Sequence, residues 1–472
     1  MAPGRWPDPP AHLHLLGICG YAVSGLALAV AQLGYRVTGS DEDAYPPTTD
    51  ILSSAGVEFA AQHEALNLDR WGVPDLVVLG NQVQAGNLEL AAALARGLPV
   101  VSEAEAQGLL AADRPRAVIC GTHGKTTTAS LCAWMLEGAG LNPGFRLGST
   151  SRDFGATVRL GDLRSPFVFE GDEYTTSALD PRAKFLHWRP EVVALLNLEL
   201  DHPDIYPDLE AYTAPYRTLL DGLPEGGLLL VNGEDPGAER LAQGFSGRVQ
   251  RWGLGSGDWR LVRPARLEGR TQLLEVAGPD RVRVAMQLPM LGRHSVSNAL
   301  AALAAAVALG ADPEAAAAAA SGYQGAARRF EVLGTAAQVT VVDDYAHHPT
   351  KLRATIAAAR QWIGKDQQLV LVHVPHTYSR TLALLAEYRD AFRGADLVVL
   401  GPIEAARERN LEGSVSSRDV AARVHGTELV LVDSADQAIQ VVRERVRPPA
   451  LVVCSSVRGF DGVAARLLSS LG

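Results

Sequence analysis

Short apolar runs alternate with longer stretches of helical spacing along most of this chain. "LHLLG" at 13 to 17 reads as a buried strand ending on glycine. "GLALAVAQLGY" at 25 to 35 has helical spacing and a stop at Gly34, and "RVTGSD" follows as a second strand. "DLVVLG" at 75 to 80 repeats the pattern. This is the rhythm of βαβ units and a parallel sheet. A composition change near "AADRPRAVICGTHGK" marks a boundary, placed at residue 112. Beyond it "RAVIC" predicts a strand and "TTTASLCAWMLEGAG" a helix, while "FVFEGDE" at 167 to 173 and "VVALLNLELDH" at 192 to 202 predict further strands. Each of these last two ends in acidic or histidine residues, and ligands of open α/β sheets collect outside such ends.

From about 225 to 290 the text turns glycine-rich with β-type alternation ("RVRVAMQLPM"), which predicts an antiparallel patch. "NALAALAAAVALGADPEAAAAAA" predicts a closely packed helix pair, because Ala is the best helix former. A third region starts at "ARRFEVLG", with strands expected at "VTVVDD", "QLVLVHV", "DLVVLG", "ELVLV" and "ALVVCSS". The expected domains are therefore 1–112, 113–328 and 329–472. The fold class is α/β: doubly wound outer domains, and a central, mainly parallel sheet with a small antiparallel patch.

Length agrees, since 472 residues at roughly 150 per domain give about three domains. The net charge of -10 argues against a general nucleic-acid binder, which needs clustered Lys and Arg. Cys19, Cys120, Cys132 and Cys454 have neither metal nor disulfide spacing, as expected of free thiols in a cytoplasm. "MAPGRWPDPPAHLHLLG" lacks the apolar core of a signal peptide, and no run of about 18 apolar residues suggests membrane insertion.

Candidate chemistry starts at "CGTHGKTTTAS", residues 120 to 130. A strand, a glycine turn and a helix start suit a polyphosphate, because backbone N–H groups and the helix dipole face the anion. Gly121 comes only three residues before Gly124, a shorter loop than G-x-x-x-x-G-K-[ST]. Lys125 can reach terminal phosphates, and a Thr126 or Thr127 hydroxyl can ligate Mg²⁺. Glu173 and His202 stand at the next two strand ends, where carboxylate and imidazole suit Mg²⁺ or Mn²⁺ beside phosphates.

At this point the chain resembles the Mur ligases, ATP-dependent amide-bond ligases of peptidoglycan precursors. "GTHGKTTTAS" is similar to their phosphate loop, and "HLLGICGYAVSGLA" with "RVTGSD" to their uridine-nucleotide domain. "FEGDEY" and "LNLELDH" look like their metal-binding strand ends, and "GRHSVSNALAA", "RRFE" and "DDYAHHPT" like their adenine, phosphate and ribose contacts. The resemblance implies Rossmann-like outer domains around a P-loop ATPase-like centre. It implies an ATP site at Gly121, Thr122, His123, Gly124, Lys125, Thr126, Thr127, Asn298, Arg329, Asp344 and His348. Metal ligands would be Thr126, Glu173 and His202, and the catalytic set Lys125, Glu173, His202 and Arg329. Gly17, Gly20, Ser24, Asp41 and Asn81 would frame a UDP-sugar. Asn81 and Asn87 could contact that ligand or satisfy a turn. Cys19 occupies the middle position of G-x-G-x-x-G, which argues against a dehydrogenase.

The chain departs from the family's G-x-H-N-x-x-N at Ser295, and Gly171 stands where Ala is usual in "EADE". No lysine occurs between Lys184 and Lys351, so a carbamoylated lysine is not expected to hold a second metal. The implied donor is UDP-N-acetylmuramate. "GICG", "DAYPPTT", "GNQVQAGN" and "GDEYTTSALDPRAKFLHWRP" resemble the branch that adds L-alanyl-γ-D-glutamyl-meso-diaminopimelate. "PHTYSRT" resembles the branch that adds L-alanine. The expected acceptor is the tripeptide, with L-alanine the alternative, and His376 and Arg380 face it. A reading of another class is a non-catalytic ATP-binding regulator, which Ser295 would favour.

Overall fold

A computed structural model describes residues 6–46, 48–203, 205–406 and 408–472. The first letters of "MAPGRWPDPPAHLHLLG" lie outside the described residues. The chain forms three α/β bodies, each around its own sheet.

The first sheet has five parallel strands in the order Glu58–Ala60, Arg36–Ser40, His12–Leu16, Leu76–Leu79, Val100–Ser102. The strand order reverses between His12–Leu16 and Leu76–Leu79, which makes their carboxyl ends the crevice where such sheets bind ligands. Both strands end on glycine there. A Cβ on Gly80 would stand 2.9 Å from the Leu16 carbonyl oxygen, so only glycine lets the two ends meet.

The central sheet has eleven strands. Its parallel heart runs Gly144–Arg146, Phe167–Glu170, Arg116–Cys120, Val192–Leu195, Leu228–Asn232, Arg248–Gly253, Trp259–Leu261. Here the structure corrects the sequence reading. The strands near 228 and 248 continue the parallel sheet, and the antiparallel patch is confined to pairings with Thr271–Ala277 and a short edge at Val158–Arg159. Helices Lys125–Gly138, Arg293–Ala308 and Pro313–Ala319 bury their alanines in one core with this sheet. They approach so closely that a Cβ on Gly138 would lie 2.2 Å from that of Ala319.

The third sheet runs Glu331–Ala336, Val339–Asp344, Ala450–Ser455, Gln368–His373, Leu397–Leu400, Glu428–Leu431, with only the first strand antiparallel. Its last strand in sequence is inserted near the middle, so the two outer domains share layers but not strand order. The edge strand Glu331–Ala336 and the hairpin Thr175–Ser177 with Asp180–Ala183 are absent from the sequence reading. No helix of the described residues is long and apolar enough to cross a membrane.

Candidate active site

The strand Arg116–Cys120 turns sharply into the helix Lys125–Gly138 through Gly121 (φ 127°) and Gly124 (φ 86°). Both positions need glycine, since such backbone strains any other residue. Gly121 also packs within 2.9 Å of Asn197 backbone atoms, measured from where its Cβ would be. The loop is held from below by Asn197, whose side chain accepts from the His123 N–H at 2.7 Å, and by Thr122, whose hydroxyl donates to the Glu199 carbonyl at 2.9 Å. The Asn298 amide lies against Gly124.

Lys125 folds over this loop. Its ammonium donates to the Gly121 carbonyl at 2.7 Å and stands 2.9 Å from Glu173. Burial disfavours the ionised Glu173, but the Lys125 charge and His202 outweigh it and hold the carboxyl below its ordinary range. The Thr126 hydroxyl donates to Glu170 at 2.7 Å, and Glu170 also accepts from the Gly148 N–H at 2.5 Å. Glu170 was passed over in sequence, although it stands at the true end of the strand Phe167–Glu170. Glu173 and His202 lie in loops beyond their strands rather than on them, because Val192–Leu195 stops seven residues before His202. His202 takes a left-handed backbone (φ 58°), with Nε2 3.3 Å from Glu173.

By residue type these donors suit a small divalent cation, although the Lys125 ammonium is what pairs with Glu173 here. Hydroxyl, carboxylate and imidazole atoms of Thr126, Glu170, Glu173 and His202 surround the phosphate-loop lysine, a set suited to Mg²⁺ or Mn²⁺. A second cluster brings donor atoms of His123, Glu199 and His348 within 4.8 Å of one another. Part of its bonding is internal, while His123 Nδ1 and His348 Nε2 are buried without a hydrogen-bond partner. His123 is hydrogen-bonded to Glu199, and His348 Nδ1 accepts from the Thr350 N–H at 3.2 Å as the cap of the helix Pro349–Ile363.

The third domain closes the site. Arg329 stacks 4.7 Å over the Tyr345 ring and reaches Thr126 at 3.4 Å. The Thr350 hydroxyl donates to Glu199 at 3.2 Å. Asp344 lines the cavity, but its carboxylate accepts from Phe330 N–H at 2.7 Å, Ala346 N–H at 2.8 Å and the Thr355 hydroxyl at 3.2 Å. Between the domains lies a cavity of about 590 Å³, lined by Gly124, Thr127, Asn298, Ser295, Arg329 and Lys351 among others. His348 stacks on His123 at 4.8 Å, so it touches the loop more than the cavity.

Arg380 is buried at the same junction, in the short helix Tyr378–Ala383. Its three nitrogens contact Asp201 (2.8 Å), His202 (2.9 Å) and His376 (3.0 Å). Burial and the Arg380 charge push His376 down to about 4, so its imidazole is neutral and accepts. Thr377 is the cap position but makes no side-chain cap bond, and the Ser379 hydroxyl donates to Glu408 at 2.5 Å.

In the first domain, Gly17 and Gly20 form the turn at the sheet crevice, joined by Gly20 N–H to Gly17 O at 3.1 Å. Asp41 accepts from the Cys19 N–H at 2.7 Å and so fixes that turn. The Ser24 hydroxyl is turned back to the Tyr21 carbonyl at 3.2 Å. Asn81 follows Gly80 at the crevice, half-buried. Asn87 is a helix cap, accepting from Leu90 N–H at 2.9 Å, which gives it the turn role. Below the crevice is a feature sequence reading missed. Glu89, fully buried, takes hydrogen bonds from His14 (2.6 Å), Ser40 (2.8 Å) and Asn67 (3.1 Å).

A short phosphate loop, a cluster of metal-capable side chains and an arginine from a following domain define a class of enzyme that activates one substrate by phosphoryl transfer before joining it to another. Comparison with known proteins narrows the class. The chain matches the Mur ligase family, catalytic domain, over residues 12–115. It matches the Mur ligase middle domain over 119–306 and the Mur ligase, glutamate ligase domain over 328–458. It is 34 % identical to the UDP-N-acetylmuramate–L-alanine ligase of Roseiflexus castenholzii, covering 98 % of each chain. It is 31 % identical to the UDP-N-acetylmuramate–L-alanyl-γ-D-glutamyl-meso-2,6-diaminoheptandioate ligase of Haemophilus influenzae, over 98 % of this chain and 99 % of that one. The crystal structure of a murein peptide ligase from Psychrobacter arcticus superposes with a TM-score of 0.71 at 29 % identity, over 98 % and 99 % of the two chains. The chain belongs to the Mur ligase family and is an ATP-dependent ligase that forms an amide bond in peptidoglycan synthesis.

Proposed function

We propose that this chain joins the lactyl carboxylate of UDP-N-acetylmuramate to the amine of L-alanyl-γ-D-glutamyl-meso-diaminopimelate through an acyl phosphate. One observation supports the tripeptide most. The segment "GDEYTTSALDPRAKFLHWRP", where the likeness to tripeptide-adding relatives is strongest, is built into the reaction centre. It forms the hairpin beside Glu173 and returns Lys184 to within 2.8 Å of Asp172. Burial opposes the Asp172 charge, but Lys184 and Arg146 hold it ionised. L-Alanine is the second reading, favoured by "PHTYSRT" and by the Roseiflexus relative.

A carboxylate is a poor acyl donor, so activation comes first. The lactyl oxygen attacks the γ-phosphorus of ATP, and the bond to the bridging oxygen breaks with its electron pair staying on ADP. Catalysis of such a step is mostly positioning and neutralisation of charge. Lys125 and Arg329 supply cations, while Gly121 to Gly124 and the helix start present N–H groups. Thr126, Glu173 and His202, with Glu170 behind Thr126, would hold a divalent cation, which would supply Lewis-acid neutralisation of phosphate oxygens. The acceptor amine then attacks the acyl carbon, and phosphate leaves. In the first domain, Gly17, Gly20, Asp41 and Asn81 hold the UDP end, with Ser24 packed beneath.

The deciding experiment offers L-alanine and the tripeptide together, with ATP and UDP-N-acetylmuramate, and reads both products by mass. Predominant tripeptide product is expected. Predominant alanine product overturns the acceptor assignment, and ADP release independent of both substrates overturns the ligase reading. Lys125→Ala should abolish turnover and leave the circular dichroism spectrum unchanged.

A further inference from the structure

Lys351 is not needed by anything described so far. It is the third residue of the helix Pro349–Ile363, and it lines the nucleotide cavity with Gly124 and Arg329. Among the described residues no side chain or carbonyl hydrogen-bonds or ion-pairs with its ammonium. Two features make that placement electrostatically unfavourable for an idle lysine. A cation in the first turn of a helix opposes the helix dipole, which favours anions there. The ammonium also faces two like charges, since Lys125 and Arg329 both disfavour its protonated form. Lys125 is already paired with Glu173 and Asp201 pulls on Lys351, but Arg329 and Lys351 line the same cavity and, among the described residues, neither is hydrogen-bonded to a carboxylate, a placement that suits a polyanion.

We propose that Lys351 is a third phosphate-binding cation of the ligase site, closing on the phosphoryl group as it passes from ATP to the substrate carboxylate. The assignment rests on the acyl-phosphate reading given above. Lys125 approaches from the phosphate loop, Arg329 from the domain junction, and Lys351 from the third domain's helix start. Lys351 exchanges no proton in the transfer. Its N–H groups hold the phosphoryl oxygens while the carboxylate–phosphorus bond forms and the bridging bond breaks.

The electrostatics agree. Burial, then Arg329, Lys125 and Arg380, push Lys351 down to about 7 against the pull of Asp201. His123, His347 and His348 also couple to Lys351, Asp344 and Glu331 line the same cavity, and Glu173, Glu199, His202 and His376 stand at the same junction. A triphosphate set against Lys351 would restore its proton.

The test uses full-length protein as wild type, Lys351→Met and Lys351→Arg. The first arm is titration calorimetry of Mg²⁺ with the β,γ-imido analogue of ATP at pH 8, in buffers of different ionisation enthalpy. Wild type should take up most of one proton, and both variants clearly less. The second arm is kcat for ADP release. Lys351→Met should lose about 100-fold, the lower end of what loss of one transition-state donor costs, with Lys351→Arg recovering most of it. Equal proton uptake by wild type and Lys351→Met, or kcat within about twofold in Lys351→Met, overturns the assignment. If Lys351→Met binds no nucleotide while Lys351→Arg does, the charge requirement stands; if neither binds, the assignment falls. A wild type that takes up the proton but forms no product with either acceptor overturns the acyl-phosphate reading and leaves the phosphate contact standing.

Discussion

Replacing Arg380 by Met separates two roles for this side chain. In sequence it looked like a partner for an acceptor carboxylate. In the structure its three nitrogens already hold Asp201, His202 and His376, and Asp201 belongs to the central domain. Both partners of the Arg380–Asp201 pair are nearly sealed from water, with side-chain exposures of 7 % and 2 %. Removing one member of such a pair leaves a buried charge behind and costs about 3 to 5 kcal/mol. The pair bridges two domains, so that cost falls on their association rather than on either fold. At 1.4 kcal/mol per tenfold, 3 kcal/mol is about a hundredfold in the ratio of associated to separated domains.

On the proposed mechanism Arg329 and Lys351 act against the phosphate loop, so kcat of Arg380→Met should fall by about 10- to 100-fold. The acceptor KM should stay within about threefold. Small-angle scattering should show a larger radius of gyration than wild type. Arg380→Lys keeps a charge but loses the planar fork, and should fall between the two. A large rise in acceptor KM, with kcat and scattering unchanged, would refute the domain-bridging role and make Arg380 a direct contact of the acceptor.

Two further outcomes concern stability. Burial disfavours the Glu89 carboxylate, but hydrogen bonds from His14 and His63 outweigh it and pull the group from 4.5 to about 2. A drop of that size corresponds to about 3 kcal/mol. Because the folded value is the lower one, this stability is present above about pH 5 and is lost as pH falls toward 2. Glu89→Gln should therefore lower the urea midpoint of the first domain at pH 7, with the gap to wild type closing as pH falls; a constant gap refutes the linkage. Gly171→Ala should destabilise by about 1 to 3 kcal/mol in thermal unfolding, as overpacking does. Its Cβ would stand 2.5 Å from that of Cys120, and Cys120→Gly in the same background should recover part of the loss.

The βαβ rhythm and the strand, glycine turn and helix of residues 116 to 138 were legible because each depends on local sequence, whereas the strand-end acid was misplaced, Glu170 and not Glu173 closing its strand. Strand order was not legible, since nothing local in "ALVVCSS" says that the last strand inserts between Val339–Asp344 and Gln368–His373. The hairpin Thr175–Ala183 was missed because "TTSALDPRA" has too few apolar residues to signal a strand. Glu89 and Lys351 were missed for a different reason. Each sits in a helix of ordinary composition, and only the fold reveals that one is sealed among histidines and the other lines the cavity between the domains. Gly171 looked like a family departure, and packing supplies its cause, since Cys120 fills the space an alanine methyl needs.

The two motifs that point to different acceptors meet on one imidazole. Tyr174, which opens the tripeptide-like segment, and Arg380, from the alanine-like one, both contact His202 Nδ1, at 2.8 and 2.9 Å. Arg380 can only donate, so Nδ1 must accept, and the ring proton of neutral His202 lies on Nε2, toward Glu173. The motif in the third domain thus sets the tautomer of His202 in the second, and Tyr174 shares the same lone pair, so a metal could be ligated by this ring only after one of these contacts is released. Altering either motif alone shifts the ring on which the other depends. The segment that carries Tyr174 and the helix Tyr378–Ala383 are thereby coupled through one side chain, so a substitution in either is felt by the other.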